Sequence, residues 1–405
     1  MTGRAERAPT VAGLLVALCR RSAPGTAQPP AGARRLDEPA FRAEFVARGE
    51  AGRVLGLALH GLARGGAWAR LGTEARGALR AAAARLRVRA AAQMMEQDRV
   101  LEALATRDVP TVLLKGAALR RTLYAHPEDR HTRDLDLLVP PDRVDAAVAA
   151  LTAAGYVAPA GGELDAYLRH HFHLQLRHRR GHLVELHWAL TEPQSPVRLD
   201  AAALLRAAVS VPDDMAGIRV PSVPHLLLHL AAQSATDGTR PLARLVDVDR
   251  LVAAAPALDW SALVADARRV GVATALGADL ALAARLLDTP VPRAALAALR
   301  AGALVRGHLA LLQPERFLLP TAPPGATELR LLQLWMLAGD HGIVGALRWL
   351  ESQGFAGPLG RAASGQAPSE RWHRPLLARL KLGAYQLGRY ALLPRLARGD
   401  GLDPQ

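Results

Sequence analysis

The chain has a single cysteine, Cys19, among 405 residues. A disulfide framework and a cysteine-ligated metal site are thereby excluded, and a lone thiol fits a reducing, cytoplasmic setting. Lysine is almost as scarce: of 51 basic residues only Lys115 and Lys381 are lysines. Aromatic residues make up 4% of the chain. Ala, Leu and Arg dominate instead, a composition that favours helix. No uncharged apolar run reaches the roughly 18 residues that would suggest a membrane span. The apolar stretch Val11 to Leu18 is short and is followed by Arg20-Arg21, which reads as a helix rather than a signal peptide.

What the chain does have is charge of one sign. The formal net charge is +14, which suits nucleic acid or another anionic partner. The arginines, however, are spread along the whole chain, as a compositional bias would leave them. That bias makes Lys115 conspicuous, because one of two lysines sits beside the densest motif in the sequence. The length suits two or three domains with room for a real core.

Periodicity divides the chain in three. Residues 1–107 read as helices, with Ser22 to Gly32 a Pro/Gly/Ala-rich loop and Thr73 to Arg107 a long Ala/Arg/Leu helix, broken at most once. Residues 108–190 read as a small α/β unit of about four strands. Two are the apolar runs Val109 to Leu114 and Asp134 to Val139. The others, Phe172 to His178 and His182 to Trp188, alternate about Arg179-Arg180-Gly181 as a hairpin would. Helices are expected over Ala117 to Tyr124 and from Asp142 to about Ala154. Residues 191–405 return to helical spacing, over 225–235, 242–255, 260–270 and 274–287. Pro320 to Gly325 and Gly354 to Pro368 read as linkers, and Arg374 to Arg398 as a basic amphipathic helix. The expected fold class is α+β, predominantly helical, with a small mixed-sheet core flanked by helical regions.

The chemistry concentrates in the middle part. Asp134 and Asp136 are two apart on a strand, so they share a face while Leu135, Leu137 and Val139 take the other. Like charges held so close suit a divalent cation between or beside them, the alternative being a carboxylate pair satisfied at the strand end. On the later strand Glu185 lies between Val184 and Leu186 and shares its face with His187. If the two strands are neighbours, three carboxylates converge, a set able to hold two Mg²⁺ ions. If not, Glu185 is an edge residue facing solvent. Gly116 precedes a helix start whose free N–H groups suit phosphate. Lys115 supplies either a charge for that phosphate or an ion pair with Asp134 or Asp136. Arg133 adjoins the carboxylates and is the best-placed triphosphate partner, whereas Arg120, Arg121 and Arg130 read as solvated. Six histidines crowd between His170 and His187, but no His-Glu-x-x-His is present and they read as hairpin-face residues.

Taken together, Lys115-Gly116 through Tyr124, Arg133-Asp134-Leu135-Asp136-Leu137-Leu138-Val139, a helix ending Ala153-Ala154-Gly155-Tyr156, and Val184-Glu185-Leu186-His187-Trp188 resemble an uncharacterised bacterial nucleotidyltransferase family of the polymerase-beta-type nucleotidyltransferase superfamily. Leu226-Leu227-Leu228-His229-Leu230 and Arg244-Leu245-Val246-Asp247 resemble its helical part. The resemblance spans roughly 95–255. It implies transfer of a nucleoside monophosphate from an NTP to an acceptor, with release of pyrophosphate and dependence on Mg²⁺ or Mn²⁺. Asp134, Asp136 and Glu185 then correspond to the metal ligands and catalytic carboxylates, and Lys115, Gly116 and Arg133 to the nucleotide-binding residues. Two departures stand out: Ala117 follows Gly116 where glycine or serine is usual, and the third carboxylate is glutamate where aspartate is frequent. The acceptor, whether small molecule, protein or RNA, is not implied. The main alternative is a catalytically inactive member that binds nucleotide or a partner. A nucleic-acid or membrane-surface role would rest on the basic helix 374–398, where Tyr385 and Tyr390 alone interleave the charge.

Overall fold

The computed structural model describes residues 9–21, 29–158, 171–211, 218–237, 241–299, 318–319 and 326–354. Two compact units divide the chain, Met1–Trp349 and Leu350–Gln405, and the sheet and every described helix up to Ala298 lie in the first. The expected C-terminal basic helix and the Pro320 to Gly325 linker lie outside the described residues, as do most of the other two expected loops.

Four helices open the chain: α1 (Val11–Cys19), α2 (Pro39–Ala51), α3 (Leu55–Arg64) and α4 (Thr73–Ala105). The Thr10 hydroxyl caps α1 by accepting from the Gly13 N–H at 3.0 Å. Helix α4 runs 33 residues without a break. Its buried positions Ala75, Leu79, Ala82, Leu86 and Ala90 recur every three or four residues, the stripe of an amphipathic helix. The first half of that stripe joins a core with α1–α3, and Val100 and Leu104 near the other end join the core beneath the sheet. One long helix thus ties the N-terminal layer to the sheet.

The sheet has seven strands: β1 (Val112–Leu113), β2 (Leu135–Leu138), β3 (Tyr156–Val157), β4 (His173–His178), β5 (Leu183–His187), β6 (Val209–Ser210) and β7 (Arg219–Val220), in the order β3-β4-β5-β2-β1-β7-β6. It is mixed: β2–β5 and β1–β7 are parallel and the other pairs antiparallel. The four strands expected from periodicity are β1, β2, β4 and β5, with β1 and β2 shorter than their apolar runs. The other three have two residues each, too short to show a period. The β4–β5 hairpin forms as expected, with Gly181 at φ 87° in its turn. Two helices pack with the sheet: α5 (Lys115–Leu123), after β1, and α6 (Val144–Ala153), after β2. One face of the sheet is dry. Leu113, Leu135, Leu137, Val139, Leu174, Leu176, Val184 and Leu186 are buried there with α4 and α6.

Beyond the hairpin come α7 (Ala201–Arg206), α8 (Val223–Thr236), α9 (Leu242–Ala254), α10 (Trp260–Val270), α11 (Ala273–Leu287), α12 (Arg293–Ala298) and α13 (Ala326–Gly354). Helices α8 to α11 fall where the spacing places them. Leu242, Leu245 and Val246 of α9 and Leu282 and Leu287 of α11 enter the same core as α1–α3. The helical regions before and after the sheet are therefore packed on each other.

Candidate functional site

The parallel pairing of β2 with β5 sets Asp136 directly beside Glu185, and Leu138 beside His187. Strand alternation puts Asp136, Glu185 and His187 on the face opposite the dry core. Asp136 and His187 are buried and Glu185 half-buried. His187 Nε2 lies 3.0 Å from Asp136 Oδ1 and 3.7 Å from Glu185 Oε2. The Gln175 amide, opposite Glu185 on β4, donates to Glu185 Oε1 at 2.9 Å and orients it. The His173 ring stacks on His187 with centroids 5.0 Å apart.

Into this cluster reaches Lys115. Its ammonium hydrogen-bonds Asp136 Oδ1 and stands 3.7 Å from Glu185 Oε2. The ion-pair alternative for Lys115 is therefore the arrangement observed, with Asp136 as partner. Lys115 has φ 48°, a left-handed conformation rare for a side chain with a Cβ. Such strain of order 1–3 kcal/mol persists where surrounding contacts over-determine it, and here the two carboxylates do so. Burial opposes charge on Lys115, but Asp136 and then Glu185 and Asp134 keep its pKa above the ordinary lysine value. Burial likewise opposes ionisation of Asp136; the Lys115 ammonium and the His187 hydrogen bond overcome it and hold the carboxyl well below the usual range. The neighbouring His187 ring and Lys115 lower Glu185 too.

Helix α5 begins at Lys115, two residues before the expected start, so Gly116 lies inside its first turn. No side chain caps this helix. Gly116 also has a packing reason: a Cβ there would meet Thr132 Cγ2 at 2.7 Å. Asp134 precedes β2 and is half-buried. Burial, then Asp136 and Glu185, push its pKa up, the behaviour of a carboxylate short of cations. Arg133 is exposed.

Arg120 and Arg130, expected to be solvated, are buried. Arg130 forks onto Asp247 of α9, with Nε 2.9 Å from Oδ1 and Nη2 2.7 Å from Oδ2, and the Tyr124 hydroxyl donates to Asp247 Oδ1 at 2.6 Å. This buried node fastens the segment from α5 to β2, and with it Asp134 and Asp136, to the C-terminal helices. Arg121 pairs with Asp98 of α4. Burial, and then the charge of Lys115, lower the pKa of buried His229 of α8 to about 3. Its neutral imidazole adds no charge to the cluster.

Asp136, Glu185 and His187 are the described set able to hold a metal ion, each offering an atom within 4.8 Å of the others. Around an octahedral ion with bonds of about 2.1 Å, ligand atoms lie about 3–4 Å apart, which the 3.0 and 3.7 Å separations match. Carboxylate oxygens suit Mg²⁺ or Mn²⁺, and an imidazole in the set favours the latter. Of the sequence-derived carboxylates, Asp136 and Glu185 thus stand together and Asp134 stands outside the three-atom set. His187 is the functional candidate that sequence reasoning undervalues. Its signal is an alternate position on the strand of Glu185, masked by the histidines crowded around it.

Among curated proteins none matches the chain. A family described as uncharacterised nucleotidyltransferase matches residues 42–288, more than half of the chain. That span runs from α2 to the end of α11 and takes in the sheet, the carboxylates and the Arg130–Asp247 node. The chain belongs to the uncharacterised nucleotidyltransferase family.

Proposed function

We propose that the protein transfers a nucleoside monophosphate from an NTP to an acceptor, in a reaction that depends on Mg²⁺ or Mn²⁺. The observation that carries this reading is the register of β2 and β5, which sets Asp136 and Glu185 side by side with His187 on one sheet face. The sequence-derived ligands are Asp134, Asp136 and Glu185, and His187 joins them. A divalent cation held there would neutralise charge on the phosphates. The Lys115 ammonium, lying in the cluster, is placed to turn toward the triphosphate, and exposed Arg133 is placed to meet it. Gly116 lies in the first turn of α5, whose backbone N–H groups would face a phosphate, while the space left by its missing Cβ is taken by Thr132. Glu185 accepts the proton of the acceptor hydroxyl. The acceptor oxygen bonds to the α-phosphorus, the α–β bridging bond breaks, and pyrophosphate leaves with the electron pair.

One observation favours a second reading, a family member that binds nucleotide without turning it over. Lys115 already supplies a positive charge to Asp136 and Glu185. Thermal protection separates the two. A transferase shows NTP protection that requires Mg²⁺ or Mn²⁺ and disappears in Asp136→Asn. Protection that survives chelation and survives Asp136→Asn supports the binding module.

A further inference from the structure

A cavity of about 220 Å³ opens at the start of β2, between α4 and the β4–β5 turn. Four arginines line it: Arg89 of α4, Arg120 of α5, Arg133 and Arg180. Two carboxylates also line it. Glu96 is already engaged, accepting from the Tyr156 hydroxyl at 2.7 Å and from Arg99 at 3.1 Å, which leaves Asp134 beside the arginines. Arg120 is the unusual member. It is only 3% exposed, yet its three hydrogen bonds all go to neutral groups. Nη1 donates to Gln93 Oε1 at 3.1 Å and Thr132 Oγ1 at 3.4 Å, and Nη2 to Gln97 Oε1 at 3.0 Å. No carboxylate among the described residues pairs with it. Its Nε and the Nε2 of Gln97, itself 1% exposed, are buried donors without partners. A buried guanidinium without a counter-ion is costly, and two orphaned donors add to that cost. One ligand would settle all three: an oxyanion.

We infer that this cavity is an oxyanion subsite that takes the phosphate of the second substrate, a phosphate-bearing small molecule, separately from the triphosphate of the NTP. The inference rests on the proposed transfer reaction for the word substrate, not for the binding itself. Size supports the assignment: the cavity is smaller than the about 300–1,000 Å³ typical of a drug-sized ligand, so it suits a phosphate with a short arm better than a whole nucleotide. Position supports it as well. Asp134 lines the cavity at the start of β2 and lies two residues from Asp136, about 6.6 Å along a strand, so the subsite is separated from the carboxylate cluster by one strand end. Arg133 stands at the junction, beside Asp134.

The probe is inorganic phosphate, read as a thermal shift against chloride at matched ionic strength, with and without a non-hydrolysable NTP and Mg²⁺. The expected result is a saturable rise in melting temperature, retained in Asp136→Asn and additive with the shift from Mg²⁺–NTP. It should vanish in Arg120→Gln. Should Arg120→Gln fail to fold, Arg180→Gln in the exposed turn should weaken phosphate binding severalfold in the folded protein. An absent shift, an equal shift in Arg120→Gln, or phosphate and NTP excluding each other would overturn the subsite. A phosphate shift without any Mg²⁺–NTP shift would instead leave the anion site standing and remove the transferase reading.

Discussion

Replacing Lys115 with methionine should turn a protein that tolerates chelation into one whose stability depends on a divalent cation. Lys115 is a fifth exposed at its side chain and Asp136 almost fully buried, and their ion pair is the strongest positive influence on the cluster. Removing one partner of a buried pair typically costs about 3–5 kcal/mol. The His187 ring, 3.0 Å from Asp136, remains to share that charge. Lys115 is also partly solvated, so a loss of about 2–3 kcal/mol is the expectation. Mn²⁺ at about 100 times its dissociation constant returns about 2.7 kcal/mol, enough to restore most of it. In wild type the ammonium competes for the same oxygens, so the gain from Mn²⁺ should be smaller. Urea unfolding of both proteins in EDTA and in saturating Mn²⁺ gives the four stabilities needed. Lys115→Met as stable as wild type in EDTA, or stabilised by Mn²⁺ no more than wild type, would refute this dependence.

Other expectations follow from the surrounding geometry. Arg130→Ala should lose about 3–5 kcal/mol in denaturant unfolding, because Asp247 would be left buried without its fork. Arg130→Lys should recover only part, since a single ammonium cannot reproduce the two-pronged contact. Gly116→Ala should cost about 1–3 kcal/mol through the clash with Thr132 Cγ2, and Thr132→Ser, which removes that methyl, should rescue it in a double-mutant cycle. The hydrogen bond to Asp129 raises the His60 pKa above its ordinary value despite partial burial. A raised pKa stabilises below the unfolded value and loses its effect as pH climbs through the folded one. Wild type should therefore lose stability relative to His60→Gln across the neutral range, and a flat difference between the two would remove that pair from the account.

Much of the site is legible in residue spacing, because it depends on strand alternation. Asp134-x-Asp136 and Glu185-x-His187 state by spacing alone which side chains share a face, and the hairpin about Gly181 fixes the order of the strands β4 and β5. Long-range placement is another matter. Arg130 and Asp247 are 117 positions apart, and no local pattern distinguishes an arginine buried in such a fork from a solvated one. The same holds for Arg120, whose partners Gln93 and Gln97 come from a different helix. Gly116 reads as a phosphate-binding turn, yet the left-handed residue is Lys115 and the glycine makes room for Thr132. Tertiary contacts decide both points. Strands β3, β6 and β7 escape notice in the sequence because two residues carry no period.

Isotope position decides whether the protein carries out metal-dependent transfer of a nucleoside monophosphate. Protein and cell lysate are incubated with Mg²⁺ or Mn²⁺ and each of the four NTPs, labelled in turn at the α- and the γ-phosphate. The α-label should enter a product while the γ-label appears only in pyrophosphate, and Asp136→Asn and chelation should abolish both. Label transferred from the γ-position would contradict that transfer, as would a folded protein that incorporates no label from any NTP.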